Sequence, residues 1–182
     1  MTAAPKSMLL MGVSGSGKTT LGQALARELG WHFADADTFH PATNIAKMRA
    51  GQPLDDTARA PWIAALRRHL AESLAKARPT VLACSALKKR YRQQLLDALP
   101  LGAMRLVYLR GSRELLATRL SARSGHFMPA ALLDSQLAAL EEPSSEENAL
   151  VLDIARPPAE LVSQITKTFA LQTACPVASP HT

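Results

Sequence analysis

Gly12-Val13-Ser14-Gly15-Ser16-Gly17-Lys18-Thr19 follows the apolar run Met8-Leu9-Leu10-Met11 and precedes apolar residues at helical spacing, Leu21, Ala24, Leu25 and Leu29. The stretch reads G-x-x-x-x-G-K-[ST] between a strand and a helix, the context in which that spacing carries chemistry. Glycines let the backbone wrap a phosphate chain without Cβ clashes, so that several N–H groups point inward. The next helix adds its own N–H groups and its positive dipole end. Lys18 is then placed to bridge β- and γ-phosphates, and the Thr19 hydroxyl to ligate Mg²⁺. A Gly/Ser-rich turn alone would be weak. With both flanks in place, residues 12–19 imply a bound nucleoside triphosphate.

The length of 182 residues suits one α/β domain, and an apolar content of 47% marks a globular chain. No apolar run approaches the roughly 20 residues that span a bilayer, and no secretory leader pattern precedes the first strand, so a cytoplasmic location is expected. Cys84 and Cys175 have no metal-ligand spacing. The formal charge is +6, from 21 Lys+Arg against 15 Asp+Glu. Basic residues are spread along the chain, with one cluster at Lys88-Lys89-Arg90 and Arg92. Aromatic residues are 4%, too few for a base-stacking platform. The charge fits an enzyme handling two anions better than a nucleic-acid binder.

From the loop outward, residues 8–12 read as a strand buried on both faces. The first helix runs to about Leu29 and stops at Gly30. Residues 31–34 form a second strand that delivers Asp35-Ala36-Asp37 at its carboxyl end, where open parallel sheets bind ligands. Residues 38–62 read as a substrate-binding insertion. It holds a short helix over 44–49 stopped by Gly51, then a helix capped by Asp55 or Asp56 that begins by about Pro61. Strands at 79–84, 104–109 and 150–154 alternate with helices at about 88–98, 112–123, 130–140 and 158–170. Residues 119–140 read as a lid around a break at Gly125. The tail 171–182, with Pro176 and Pro180, is expected to be disordered. The order predicts a single α/β domain over 1–170, a five-stranded parallel sheet flanked by helices with right-handed crossovers.

Phosphoryl transfer needs a metal-bound triphosphate, an oriented acceptor hydroxyl and positive charge over the moving group. Asp37 is placed to accept the acceptor's proton. Asp35 shares its strand face and, with Thr19, is the candidate metal ligand; the competing reading is that one of the two carboxylates caps the helix after the strand. Arg59 offers a planar fork suited to a substrate carboxylate. Arg119 and Arg123 lie one helical turn apart and, with His126, are candidates to close over the phosphates and the acceptor. Lys88 and Lys89 either grip substrate oxygens or start a helix. His40 is a further acceptor-side candidate, and Trp62 reads as packing. Cys84-Ser85 stands at the end of the third strand, where P-loop proteins often keep a second metal-associated carboxylate.

Five blocks resemble the gluconate kinases of the small P-loop family, relatives of shikimate kinase. They are residues 10–19; Asp35-Ala36-Asp37 with His40-Pro41, Asn44 and Lys47-Met48; Gly51-Gln52-Pro53-Leu54 with Asp56, Arg59 and Pro61-Trp62; Cys84-Ser85-Ala86-Leu87-Lys88 with Tyr91-Arg92; and Arg119, Arg123, Gly125-His126-Phe127, Ser135-Gln136 and Leu140-Glu141-Glu142-Pro143. The resemblance implies a P-loop kinase fold, ATP and Mg²⁺ as cofactors, phosphorylation of D-gluconate at its 6-hydroxyl, and a cytoplasmic homodimer with neither nucleic-acid nor membrane partners. It implies that Gly12, Val13, Ser14, Gly15, Ser16, Gly17, Lys18 and Thr19 bind ATP, that Asp37 faces the sugar acid, and that Arg59 takes its carboxylate. It places the loop after Asp153-Ile154 near adenine. One position departs: the family commonly carries Asp just before the arginine, and this chain carries Ala58. Shikimate or a nucleoside monophosphate is the alternative acceptor. A GTPase switch would need Asn-Lys-x-Asp and Asp-x-x-Gly, and neither occurs.

Overall fold

The computed structural model describes residues 6–50, 52, 54–97, 99–122 and 130–173. In chain order the strands are β1 (Ser7–Met11), β2 (His32–Asp35), β3 (Thr80–Ala83), β4 (Met104–Arg110) and β5 (Leu150–Asp153). The helices are α1 (Lys18–Leu29), α2 (Ala42–Arg49), α3 (Asp56–Ala75), α4 (Lys89–Leu96), α5 (Arg113–Ser121), α6 (Ala130–Ala139) and α7 (Pro158–Thr168), with 3-10 turns at Ala36–Phe39 and Ser145–Glu147. The strands form one sheet in the order β2-β3-β1-β4-β5, every pair parallel. This is the doubly covered parallel sheet that the element order predicts.

The uninterrupted apolar run of β1 follows from its central place. Strand side chains alternate between faces, so a run without polar breaks requires both faces to be covered. Met8 and Leu10 enter a core with Leu21, Leu25 and Leu29 of α1 and Leu161 and Ile165 of α7. Leu9 and Met11 enter the opposite core with Trp62, Ile63, Leu66 and Leu70 of α3 and Tyr91 and Leu95 of α4. Each fully buried Leu contributes about 1.5–3 kcal/mol relative to exposure.

Boundaries move little from the sequence expectation. Gly30 ends α1 in the left-handed region at φ 66°, its N–H returning to Ala26 and Arg27 carbonyls. Asp55 settles the start of α3, because its carboxylate accepts from Ala58 N at 2.7 Å. Pro61 therefore lies inside the helix rather than at its first turn. Helix α5 ends at Ser121, with Ala122 as its C-cap. Arg123, Gly125, His126, the Gly51 stop and the tail from 174 onward lie outside the described residues. Among the described residues no helix is long and apolar enough to cross a membrane.

The register positions the site. Ala83 of β3 pairs with Leu10 on one side and Asp35 on the other. The carboxyl ends of β1 and β2 are thus level, and Asp35 emerges beside the loop that leaves β1.

Candidate active site

The loop after Met11 turns on glycine geometry. Gly12 has φ 149°, and a Cβ there would stand 2.7 Å from Ser16 Oγ and 2.9 Å from the Leu109 carbonyl. Gly17 precedes α1 in the left-handed region at φ 89°, and no side chain caps the helix. The leading N–H groups of α1 are thus left for a ligand rather than for a capping Ser or Asp. Ser16 Oγ is buried with no hydrogen-bond partner. Lys18 Nζ donates to the Gly12 and Val13 carbonyls at 2.9 and 3.1 Å, at the amino end of the loop.

The metal-ligand expectation meets its competing reading in a single carboxylate. Asp35 Oδ1 accepts from Asp37 N at 3.1 Å and caps the 3-10 turn. Its Oδ2 accepts from Thr19 Oγ1 at 3.1 Å. Asp35 therefore caps and also faces the loop. Hydroxyl and carboxylate oxygens at this spacing are the hard donors that Mg²⁺ takes, and uncapped N–H groups beside Lys18 suit a phosphate chain, so the residues present fit MgATP.

Asp37 lies on the 3-10 turn after β2, where its side chain reaches solvent. Burial, and then the charge of Asp35, push its carboxyl above the usual carboxylate range, against the opposing pull of Lys18 and His40. Lys18, Asp35 and His40 are therefore its titratable neighbours. His40 stacks on Trp62, with centroids 4.5 Å apart and planes within 7°, and its Nδ1 lies 3.4 Å from Asn44 Nδ2. Burial lowers the His40 pKa; Asp37 opposes that shift and Arg59 reinforces it. Trp62 is packing, as expected, with Nε1 donating to the Ala36 carbonyl at 2.7 Å.

Arg59 projects from the first turns of α3. Its Nη1 donates to Tyr91 Oη at 2.8 Å, and the guanidinium carbon lies 5.3 Å from the Tyr91 ring centroid. Tyr91 donates onward to Asp56, which also accepts from Arg90 at 2.7 Å. Tyr91 thus orients Arg59 in a chain that carries Ala58 where a neighbouring carboxylate was expected. Among the described residues Arg59 has no carboxylate in ion-pair contact.

The two lysines separate. Lys89 starts α4 and is held there: its N–H donates to Glu141 Oε2 at 2.6 Å and its Nζ pairs with Glu146 at 3.3 Å. These carboxylates offset the cost of cations at a helix start. For Lys89 the helix-start reading holds. Lys88 is the half-buried N-cap, and its charge acts on Asp56.

Arg119 reaches the loop from a formed helix. Its Nη2 donates to the Ile154 carbonyl at 2.7 Å, and a Cβ on Gly17 would lie 3.8 Å from its Nη1. It thus spans from the segment after β5 to the phosphate loop. Gln136 has no assignment from sequence. Its Oε1 accepts from Ser14 N at 2.7 Å and its Nε2 donates to Ser14 Oγ at 3.0 Å. Its signal was the Ser135-Gln136 pair in the family pattern, but nothing local says that α6 lies over Ser14.

Residues 8–143 match a family model described as an AAA domain. The gluconokinase of Gluconobacter oxydans is 45% identical over 166 residues, covering 91% of this chain and 92% of its own. Among solved structures, a gluconokinase from Sinorhizobium meliloti is 44% identical with a TM-score of 0.82, covering 91% of this chain and 92% of its own. A sugar kinase from a Janibacter species is 41% identical with a TM-score of 0.85, covering 92% and 95%. The matched span includes the phosphate loop, Asp35, Asp37, Arg59, Lys88, Arg119 and Gln136. With the AAA-domain match over residues 8–143 and likeness to gluconokinase sequence and structure over nine-tenths of the chain, this chain belongs to the gluconokinase family.

Proposed function

We propose that this chain transfers the γ-phosphoryl group of ATP to the 6-hydroxyl of D-gluconate, giving 6-phospho-D-gluconate for carbohydrate-acid catabolism. The observation that carries the reading is the place of Asp37, whose titratable neighbours include Lys18 of the phosphate loop on one side and His40, itself next to Arg59, on the other. In this reading one carboxylate serves both the donor half and the acceptor half of the site.

In this reading residues 12–19 cradle the triphosphate, and Thr19 and Asp35 would hold Mg²⁺, which would supply charge neutralisation on the phosphates. Lys18 stabilises the charge that develops as the bond from γ-phosphorus to the bridging oxygen breaks and the bond to the gluconate oxygen forms. Asp37 takes the hydroxyl proton. A carboxylate with a raised pKa is a better base. Arg59, pre-set by Tyr91, holds the gluconate carboxylate, with His40 and Lys88 on the acceptor side. Residues 119–140 form the lid region in this reading, with Arg119 and Arg123 on the phosphates, His126 near the acceptor, and α6 as its anchored end.

A shikimate or nucleoside monophosphate kinase would use the same donor half, but the 40% and higher identities to gluconokinases favour gluconate. The reading carries with it a cytoplasmic homodimer without nucleic-acid or membrane partners. Gluconate-dependent ADP release is its test.

A further inference from the structure

The Val13–Ser14 peptide is gripped at both ends. Its carbonyl accepts from Lys18 Nζ at 3.1 Å, and its N–H donates to Gln136 Oε1 at 2.7 Å. Gln136 Nε2 also donates to Ser14 Oγ at 3.0 Å. A side-chain amide supplies an acceptor and a donor on one rigid plane, which matches the N–H and hydroxyl of Ser14 together. Rotation of this peptide plane moves the carbonyl on which Lys18 rests, so the amide and the ammonium are coupled through one rigid unit.

Helix α6 does not depend on this contact for its place. Leu133 is 1% exposed in the core that also holds α1 and α7. Arg113 of α5 grips Asp134 through two bonds, 2.7 and 3.0 Å long. Beyond α6, Glu141 N donates to the Leu87 carbonyl at 2.8 Å, and Arg92 donates to the Glu141 carbonyl at 2.9 Å. Gln136 is therefore presented to the loop by an element anchored on both sides. The phosphate-loop motif itself calls for no such residue.

We propose that Gln136 is a positioning residue for phosphoryl transfer: it fixes the Val13–Ser14 peptide plane and thereby the resting place of Lys18. The proposal deepens the ATP-dependent kinase reading and rests on it. Gln136 acts through the loop, not on the reacting atoms. The loop end it holds is the end that Lys18 occupies, where a P-loop lysine meets the γ-phosphate.

The test compares Gln136→Ala, Gln136→Glu and, as a control on the same helix, Ser135→Ala, whose hydroxyl bonds to the Leu132 carbonyl within α6. Three quantities are measured: steady-state kinetics with ATP and gluconate, ATP and ADP affinities by calorimetry without acceptor, and thermal melting. Gln136→Ala removes both bonds to Ser14 and is expected to lower kcat/KM for ATP about tenfold, within the range for such bonds, with gluconate KM and Tm changed far less. Gln136→Glu keeps the length and an acceptor for Ser14 N–H but adds negative charge at the Lys18 end. It is expected to weaken ATP at least about threefold more than ADP. Wild-type ATP kinetics in Gln136→Ala, or an unchanged ATP-to-ADP affinity ratio in Gln136→Glu, would overturn the proposal. So would a loss shared equally by gluconate KM and Tm, since that marks a purely structural role. A wild-type protein that binds ATP yet ignores gluconate would reject the acceptor assignment alone, because the nucleotide titrations contain no acceptor.

Discussion

Thr19 Oγ1 donates to Asp35 Oδ2 across 3.1 Å, joining the last residue of the phosphate loop to the end of β2. One oxygen from the first turn of α1 and one from the end of β2 meet where the proposed function puts the metal. Asp35→Asn keeps an acceptor for the cap but removes the charge. It should raise the Mg²⁺ concentration for half-maximal activity by about 10- to 100-fold, read from Mg²⁺ titration at fixed ATP. A titration identical to wild type would exclude Asp35 from the metal site.

Asp37 sets stability against activity. Its folded pKa lies above its unfolded value, chiefly through burial and then through Asp35. The folded state therefore binds more protons than the unfolded one between those two values, and stability falls as pH rises through that window. Above it the full cost of the ionised carboxylate is present. Asp37→Asn should raise Tm at pH 7, modestly because the side chain still reaches water, and the gain should shrink as pH falls toward the unfolded value. The same variant should lose kcat by about 100-fold or more, with ATP affinity near normal. Thermal melting across pH beside kinetics checks both. A variant with wild-type kcat would remove Asp37 from the role of base.

Arg59 and Tyr91 separate binding from orientation. Arg59→Ala should raise gluconate KM by about 10- to 100-fold, the range of a lost charge-assisted bond, with a smaller change in kcat. Tyr91→Phe keeps the ring under the guanidinium and removes the 2.8 Å bond, so a rise of only a few-fold is expected. Unchanged gluconate KM in Arg59→Ala would refute the carboxylate role.

Legibility in the sequence was local. Gly12 to Thr19, the apolar β1 before it and the Gly30 stop after α1 are specified by residues within a few positions of each other, so motif and period suffice. Asp35-Ala36-Asp37 was legible as the end of β2 beside the loop but not in its bonding, because the two oxygens of Asp35 take different partners. Gln136 on Ser14 and Arg92 on Glu147 were not legible. Each pairs segments separated by 122 and 55 residues, and only the stacking of helices on the sheet brings them together. Lys89 misleads for the same reason: the carboxylates that turn it into a helix start come from residues 141 and 146.

Arg92 carries a stability prediction. Its side chain is fully buried, forms two bonds to Glu147 at 2.6 and 2.8 Å, and donates to the carbonyls of Ala86, Leu87 and Glu141. Arg92→Met strands a carboxylate and three carbonyls, and should cost about 3–5 kcal/mol in urea unfolding. Adding Glu147→Leu should recover part of that loss by removing the unpaired charge. A single-variant cost below about 1 kcal/mol would contradict the burial of this pair.

The most direct measurement is ADP release at saturating MgATP over gluconate, other aldonates, shikimate and nucleoside monophosphates. Turnover with gluconate well above every other acceptor is expected, falling about 100-fold or more in Lys18→Ala. Turnover with shikimate or a nucleoside monophosphate, and none with gluconate, would contradict the assignment.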